Sequence, residues 1–106
     1  MIKVIKPDVL KDWLANDEVF LIDVREAAEH HAESIEQAKL MPLENMTSRS
    51  IPETDKKIVF HCRAGIRSEK ACKRLNHIHP ELTWHMLGGG LDAWNKAGFK
   101  TIKASS

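Results

Sequence analysis

The sequence predicts an α/β fold, with a central, mostly parallel sheet and helices on both faces. Three observations carry this. Strand-like and helix-like segments alternate along the chain. Two short segments, Val19–Asp23 and Lys57–His61, are rich in apolar residues and bounded by polar ones, as expected of strands covered on both faces. At 106 residues, 42% hydrophobic and 29% charged, the chain has room for one core and the balance of an ordinary globular domain, so residues 1–106 are expected to form a single domain.

The elements follow in order. Lys3-Val4-Ile5 is a candidate edge strand. A helix is expected from Pro7 to about Ala15, because proline suits a first helical turn where its missing N–H has no partner to lose. Val9, Leu10, Trp13 and Leu14 give that helix one apolar face, and Asn16-Asp17 ends it. The strand Val19–Asp23 has a polar tail, Asp23-Val24-Arg25-Glu26, and a helix is expected from about Ala27 to Ala32. Ala38 to Met41 reads as a weak strand stopped by Pro42, and Leu43 to Arg49 as a short helix. After the strand Lys57–His61 comes the loop Cys62-Arg63-Ala64-Gly65-Ile66-Arg67. Ser68, with Glu69 beside it, is expected to open a helix to about His77. Ala71, Cys72, Leu75 and Ile78 are its apolar stripe. Leu82 to Leu87 is a further strand, followed by Gly88-Gly89-Gly90 and a helix carrying Leu91, Ala93, Trp94 and Ala97. Gly98 is expected to cap that helix. Thr101-Ile102 is expected to add an edge strand beside Lys3-Val4-Ile5.

Several function classes are disfavoured by composition. Sixteen Lys+Arg against fifteen Asp+Glu leave a formal charge of +1, so no field points to nucleic acid or an anionic membrane. The longest run of large apolar residues, Val19-Phe20-Leu21-Ile22, is far short of a bilayer span. The N-terminal residues do not read as a secretory signal. Two cysteines make no disulfide framework, and a reducing cytoplasmic setting is the default expectation.

The chemistry is expected at Cys62. In open α/β sheets, sites form beyond the carboxyl ends of the strands. There Cys62 would face the unpartnered N–H groups of a helix start, with Arg63 and Arg67 adding positive charge and no acid between His61 and Ser68. Such surroundings acidify a thiol, and the thiolate is the nucleophile. Gly65 allows the tight turn. Cys72, on the apolar stripe, reads as core. His61 points to the opposite face from its neighbour and is not expected to act as a base. Asp23 and Arg25 read as an ion pair bracing the loops, able to orient the cysteine loop from behind. The six histidines lack metal-ligand spacing, and no cofactor or metal is expected. Gly88-Gly89-Gly90 reads as tight-turn geometry rather than a phosphate loop. Trp13, Trp84 and Trp94 read as core.

Three blocks resemble the rhodanese family of sulfurtransferases. His61 to Ser68 is similar to its cysteine loop. Leu21-Ile22-Asp23-Val24-Arg25-Glu26 resembles its strand ending in Asp-x-Arg-Glu, and Leu87 to Gly98 its closing glycine–tryptophan–glycine signature. Glu33-Ser34-Ile35-Glu36-Gln37-Ala38 departs from the family's Gly-His-Ile-x-Gly-Ala. A similar departure occurs in rhodanese domains that precede a membrane anchor, so the resemblance also implies a cytoplasmic-side domain of a longer protein as an alternative. The resemblance implies a rhodanese-like domain that moves sulfur from thiosulfate or a similar donor, through a persulfide on Cys62, to cyanide, a small thiol or a protein thiol. The loop Arg63, Ala64, Gly65, Ile66, Arg67 and Ser68 would bind the donor. The alternatives are a sulfur-relay or protein-binding module that turns over poorly, and a phosphatase or arsenate reductase. Related phosphatases place one more residue between cysteine and arginine than the four present here, so sulfur transfer is preferred.

Overall fold

A computed structural model describes residues 1–104. Its elements are β1 (Ile2–Ile5), α1 (Pro7–Ala15), β2 (Val19–Asp23), α2 (Ala27–Ala32), β3 (Glu33–Ser34), β4 (Lys39–Leu40), β5 (Lys57–His61), α3 (Ile66–Ile78), β6 (Trp84–Leu87), α4 (Gly90–Lys96) and β7 (Ile102–Lys103). The central sheet has the order β1-β6-β5-β2-β4. Every ladder in it is parallel. The carboxyl ends of β2, β5 and β6 therefore open on one side of the molecule, and three consecutive turns meet there.

Adjacent residues of a strand face opposite sides, and the core splits accordingly. Ile22, Phe60 and Met86 join Ala71, Cys72 and Leu75 of α3 on one face. Leu21, Val59 and Leu87 join Leu10 of α1 and Leu91 and Trp94 of α4 on the other. The double coverage explains why β2 and β5 read as apolar runs. Trp84 and Trp94 are buried, each donating its indole N–H to a carbonyl, of His79 and Lys100 respectively. Trp13 packs partly buried against the second cluster. No helix among the described residues is long and apolar enough to cross a membrane.

Several sequence expectations are corrected. Thr101-Ile102 does not pair with Lys3-Val4-Ile5. β7 pairs antiparallel with β3, and β1 lies parallel beside β6. Chain order suggested the β1 edge, but Ile102 and Lys103 are taken by Ser34 and Glu33 of β3. Leu43 to Arg49 forms two separate 3-10 turns, Leu43–Asn45 and Ser48–Ser50, instead of one helix. The strand expected at Leu82 begins at Trp84, and the one expected at Ala38 to Met41 contracts to Lys39–Leu40. α3 opens at Ile66 rather than Ser68, and Ile78 is half exposed at its far end instead of completing the stripe. Gly98 does follow α4 in the left-handed region.

Candidate active site

Cys62 directly follows β5, with its side chain only 1% exposed. Gly65, at φ +116°, turns the chain into α3, a conformation glycine adopts at little cost. The turn aims amides back at the sulfur. Cys62 Sγ accepts the N–H of Gly65 at 3.1 Å and the N–H of Ser68 at 3.4 Å. The Ser68 hydroxyl lies 3.6 Å from the same sulfur and donates to the Gly65 carbonyl at 3.0 Å. Ser68 is therefore the third residue of α3 and a wall of the sulfur site, not the residue that opens the helix. Burial by itself opposes the thiolate. The Ser68, Gly65 and Arg67 amides outweigh it and hold the Cys62 thiol below its ordinary 9.0. Cys72 lacks such a cradle. Burial pushes its thiol up to about 12, and it donates to the His85 carbonyl at 3.4 Å.

The glycine run has a larger part than a tight turn. The amides of Leu91 and Asp92, in the first turn of α4, donate to the carbonyls of Cys62 and Arg63 at 2.8 and 3.0 Å. Fixing those carbonyls outward leaves the loop's own amides to face the sulfur. The approach is possible because Gly90 has no side chain: a Cβ there would lie 2.4 Å from the Cys62 oxygen and 2.6 Å from the Arg63 oxygen, at φ +58°. Gly90→Ala is expected to destabilise the fold by about 2 kcal/mol and to lower activity more than tenfold. Urea unfolding and turnover measure the two effects. Activity unchanged in a destabilised protein would show that the clamp does not set the loop.

Behind the loop, Asp23 is fully buried. It accepts the Arg25 backbone N–H at 3.0 Å, the guanidinium at 2.8 to 3.2 Å, and pairs with His30 Nδ1 at 2.8 Å. Arg25, 4% exposed, also donates to the Glu33 carbonyl at 2.6 Å. The pair thus ties the end of β2 to α2 through His30 and to β3 through the Glu33 carbonyl. His61 is fully buried, with Nδ1 3.2 Å from the Cys62 carbonyl and Nε2 3.9 Å from Asp23. Burial holds its imidazole below its ordinary value, neutral, and its hydrogen bond goes to the Cys62 backbone rather than to the thiol.

The two loop arginines are not the free charges that the sequence led one to expect. Arg67 donates to both oxygens of Glu29, at 2.7 and 3.0 Å. Arg63 is exposed and lies 3.6 Å from Asp92, also exposed. Local sequence does not show these partners, because Glu29 comes from α2 and Asp92 from α4. Sequence reading also missed His30 and the clamping role of Gly90. The Glu29 spacing was visible as a helix-start signal, since its carboxylate accepts the Glu26 N–H at 3.0 Å. Ala64 and Ile66 complete the loop, and Ile66 is 69% exposed.

Two hollows flank the loop. One of about 370 Å³ includes Val24, Glu44, Arg67 and Lys70 in its lining, and one of about 230 Å³ includes Arg25, Glu29, Arg63 and Asp92. A wider hollow, about 780 Å³, lies at the other end of the strands, by Lys57 and Trp84, away from Cys62.

Comparison with known proteins places these features in a wider set. Residues 6–97 match the family model described as rhodanese-like domain. An uncharacterised protein of Synechocystis is 35% identical over 103 residues, which cover 96% of this chain and 57% of that protein. A tRNA uridine(34) hydroxylase of Escherichia fergusonii is 32% identical over 92 residues, 79% of this chain and 26% of that protein. The chain thus spans about half or less of the length of these relatives. A crystal structure of a rhodanese-related protein from Thermoplasma volcanium superposes with a TM-score of 0.82 at 26% identity, over 94% of this chain and 97% of that one.

Proposed function

The chain belongs to the rhodanese-like domain family, and we propose that it is a sulfurtransferase that carries sulfur as a persulfide on Cys62. The observation that supports this best is the ring of amides around a nearly enclosed sulfur. In the first half-reaction the Cys62 thiolate attacks the outer sulfur of thiosulfate. The donor's S–S bond breaks and its electron pair leaves with sulfite. The persulfide so formed is anionic on its outer sulfur, and the donors that stabilise the thiolate serve it in the same way. In the second half-reaction a thiol or cyanide attacks that outer sulfur, and the Cys62 thiolate is regenerated. The cycle is covalent catalysis with ping-pong kinetics.

The enclosure of the sulfur favours a slim terminal atom over a phosphate with three free oxygens, which supports sulfur transfer over phosphatase or arsenate chemistry. The near-neutral charge supports a small donor over a nucleic acid. We assign the reaction to a cytoplasmic setting, where a free thiolate persists.

Intact mass of the protein before and after thiosulfate tests the reading. The expected result is a gain of one sulfur atom, removed by reductant and mapped by peptide analysis to Cys62 rather than Cys72. No gain, together with phosphate release or arsenate reduction, would transfer the assignment to the anion chemistry. No gain with no turnover of either kind would leave a binding module. The loading rate is expected to rise with pH and to level off below 9.0, because the thiolate is already formed there. A rate still climbing through 9.0 would show that the cradle does not acidify the thiol.

A further inference from the structure

The cradle around Cys62 is built of neutral amides, so charge recognition of the donor must come from side chains at its rim. Arg67 is a half-buried cation of the loop, and it is held in a two-point fork by Glu29 at 2.7 and 3.0 Å. Both partners are one-third exposed. Glu29 is itself fixed, because one of its oxygens also accepts the Glu26 N–H at 3.0 Å. Glu29 lines one of the two hollows beside the loop and Arg67 lines the other. The ion pair therefore stands between them, on the flank of the cysteine loop. A guanidinium engaged face to face with a carboxylate cannot offer the same fork to an incoming oxyanion.

We infer that Glu29 is a specificity-determining residue, which withholds Arg67 from the donor and so limits capture of dianionic donors relative to singly charged ones. The inference rests on the sulfur-transfer reading and deepens it. A dianion such as thiosulfate meets the Glu29 carboxylate and finds Arg67 occupied. A monoanionic thiosulfonate loses less on both counts. The chemistry at sulfur is the same for each. The Cys62 thiolate attacks the outer sulfur, the S–S bond breaks, and sulfite or sulfinate leaves with the electron pair. Selection thus belongs to capture rather than to bond breaking.

Steady-state kinetics of wild type, Glu29→Gln and Glu29→Asp, with thiosulfate and with benzenethiosulfonate as donors, tests this. Glu29→Gln frees the guanidinium and removes the opposing charge. Its thiosulfate KM is expected to fall about fivefold, with kcat changing less than KM. The benzenethiosulfonate KM is expected to fall by less than half as large a factor. Raising ionic strength should shrink the gap between the variants, because the pair is partly exposed. Glu29→Asp keeps the charge but shortens the reach, and is expected to lower the thiosulfate KM about twofold. It carries the test if the glutamine variant does not fold. Glu44→Gln is the control, an exposed acid in the hollow that Arg67 lines but not paired with it. A Glu44→Gln effect equal to that of Glu29→Gln would reduce the result to general repulsion and overturn the inference. An unchanged thiosulfate KM in a folded Glu29 variant would overturn it as well. A wild-type protein that takes sulfur from neither donor would overturn the sulfur-transfer reading together with this one, whereas normal loading with an unmoved KM would overturn this one alone.

Discussion

Cys62→Ser is expected to yield a folded protein that carries no sulfur. The hydroxyl is not ionised at neutral pH and forms no persulfide, so turnover should fall by at least ~10⁴-fold. Stability should move little. The side chain is buried, but the Gly65 and Ser68 amides that face the sulfur can donate to an oxygen in its place. A buried hydroxyl with partners costs little, and the change is expected to stay within about 1 kcal/mol. Intact mass after thiosulfate, together with a thermal melt, checks both halves. A variant that still gains sulfur would point to Cys72. The structure argues against that, since burial raises the Cys72 thiol to about 12 and its S–H is engaged with the His85 carbonyl.

Asp23→Ala is expected to cause the largest loss of stability, about 3–5 kcal/mol. The reason is the partner left behind. Arg25 is 4% exposed and would keep only the Glu33 carbonyl, so a guanidinium would remain buried without a counter-charge. Urea unfolding at neutral pH measures the loss. A loss below about 1 kcal/mol would mean that water or Glu29 replaces the carboxylate. The pH dependence gives a second readout. Burial opposes ionisation of Asp23, but the hydrogen bonds from Arg25 and the His30 contact outweigh it and hold the folded value below 3.8. A carboxylate depressed by folding contributes stability that is complete above its unfolded value and disappears as pH falls through the folded one. His61 acts in the same direction from about 6.5 downward, because burial keeps it neutral while the unfolded imidazole takes up a proton. The wild type should therefore lose stability on acidification in two stages. Asp23→Ala should lose the Asp23 share of the lower stage, below 3.8, leaving a shallower fall from Glu29, which Arg67 holds at about 2.

What could be read from residues alone was set by range. β2, β5 and α1 were legible because an apolar run and a proline-led helix are local signals. The cysteine loop was legible for the same reason, with four residues between Cys62 and Arg67 and a glycine three residues after the cysteine. The two-residue strands β3 and β7 were not, because so short a segment has no period to detect. Their pairing, Ser34 with Ile102, joins distant stretches of chain and moved Ile102 away from its expected neighbours. The charge state of the loop was misread by the same logic. A window around Cys62 contains two arginines and no acid, yet the fold brings Glu29 and Asp92 to meet them. His30 was weighed with the other histidines only for metal-ligand spacing, and only the packing of α2 on the end of β2 reveals its contact with Asp23. Gly90 was recognised as a turn residue, but its function lies in the carbonyls it allows α4 to reach.

With Cys62 and Arg63 anchored by the amides of Leu91 and Asp92, the cysteine loop is expected to be completed late in synthesis. When Cys62 leaves the ribosome, the residues that will hold its loop have not yet been made. Until β6 and α4 emerge and dock, the cysteine loop lacks its clamp, and its thiol should resemble that of an unfolded peptide, mostly protonated at neutral pH. The reactive thiolate would therefore be acquired late, when the sheet has enclosed it. A nascent chain would be shielded from premature oxidation or adduct formation by the order in which its residues appear.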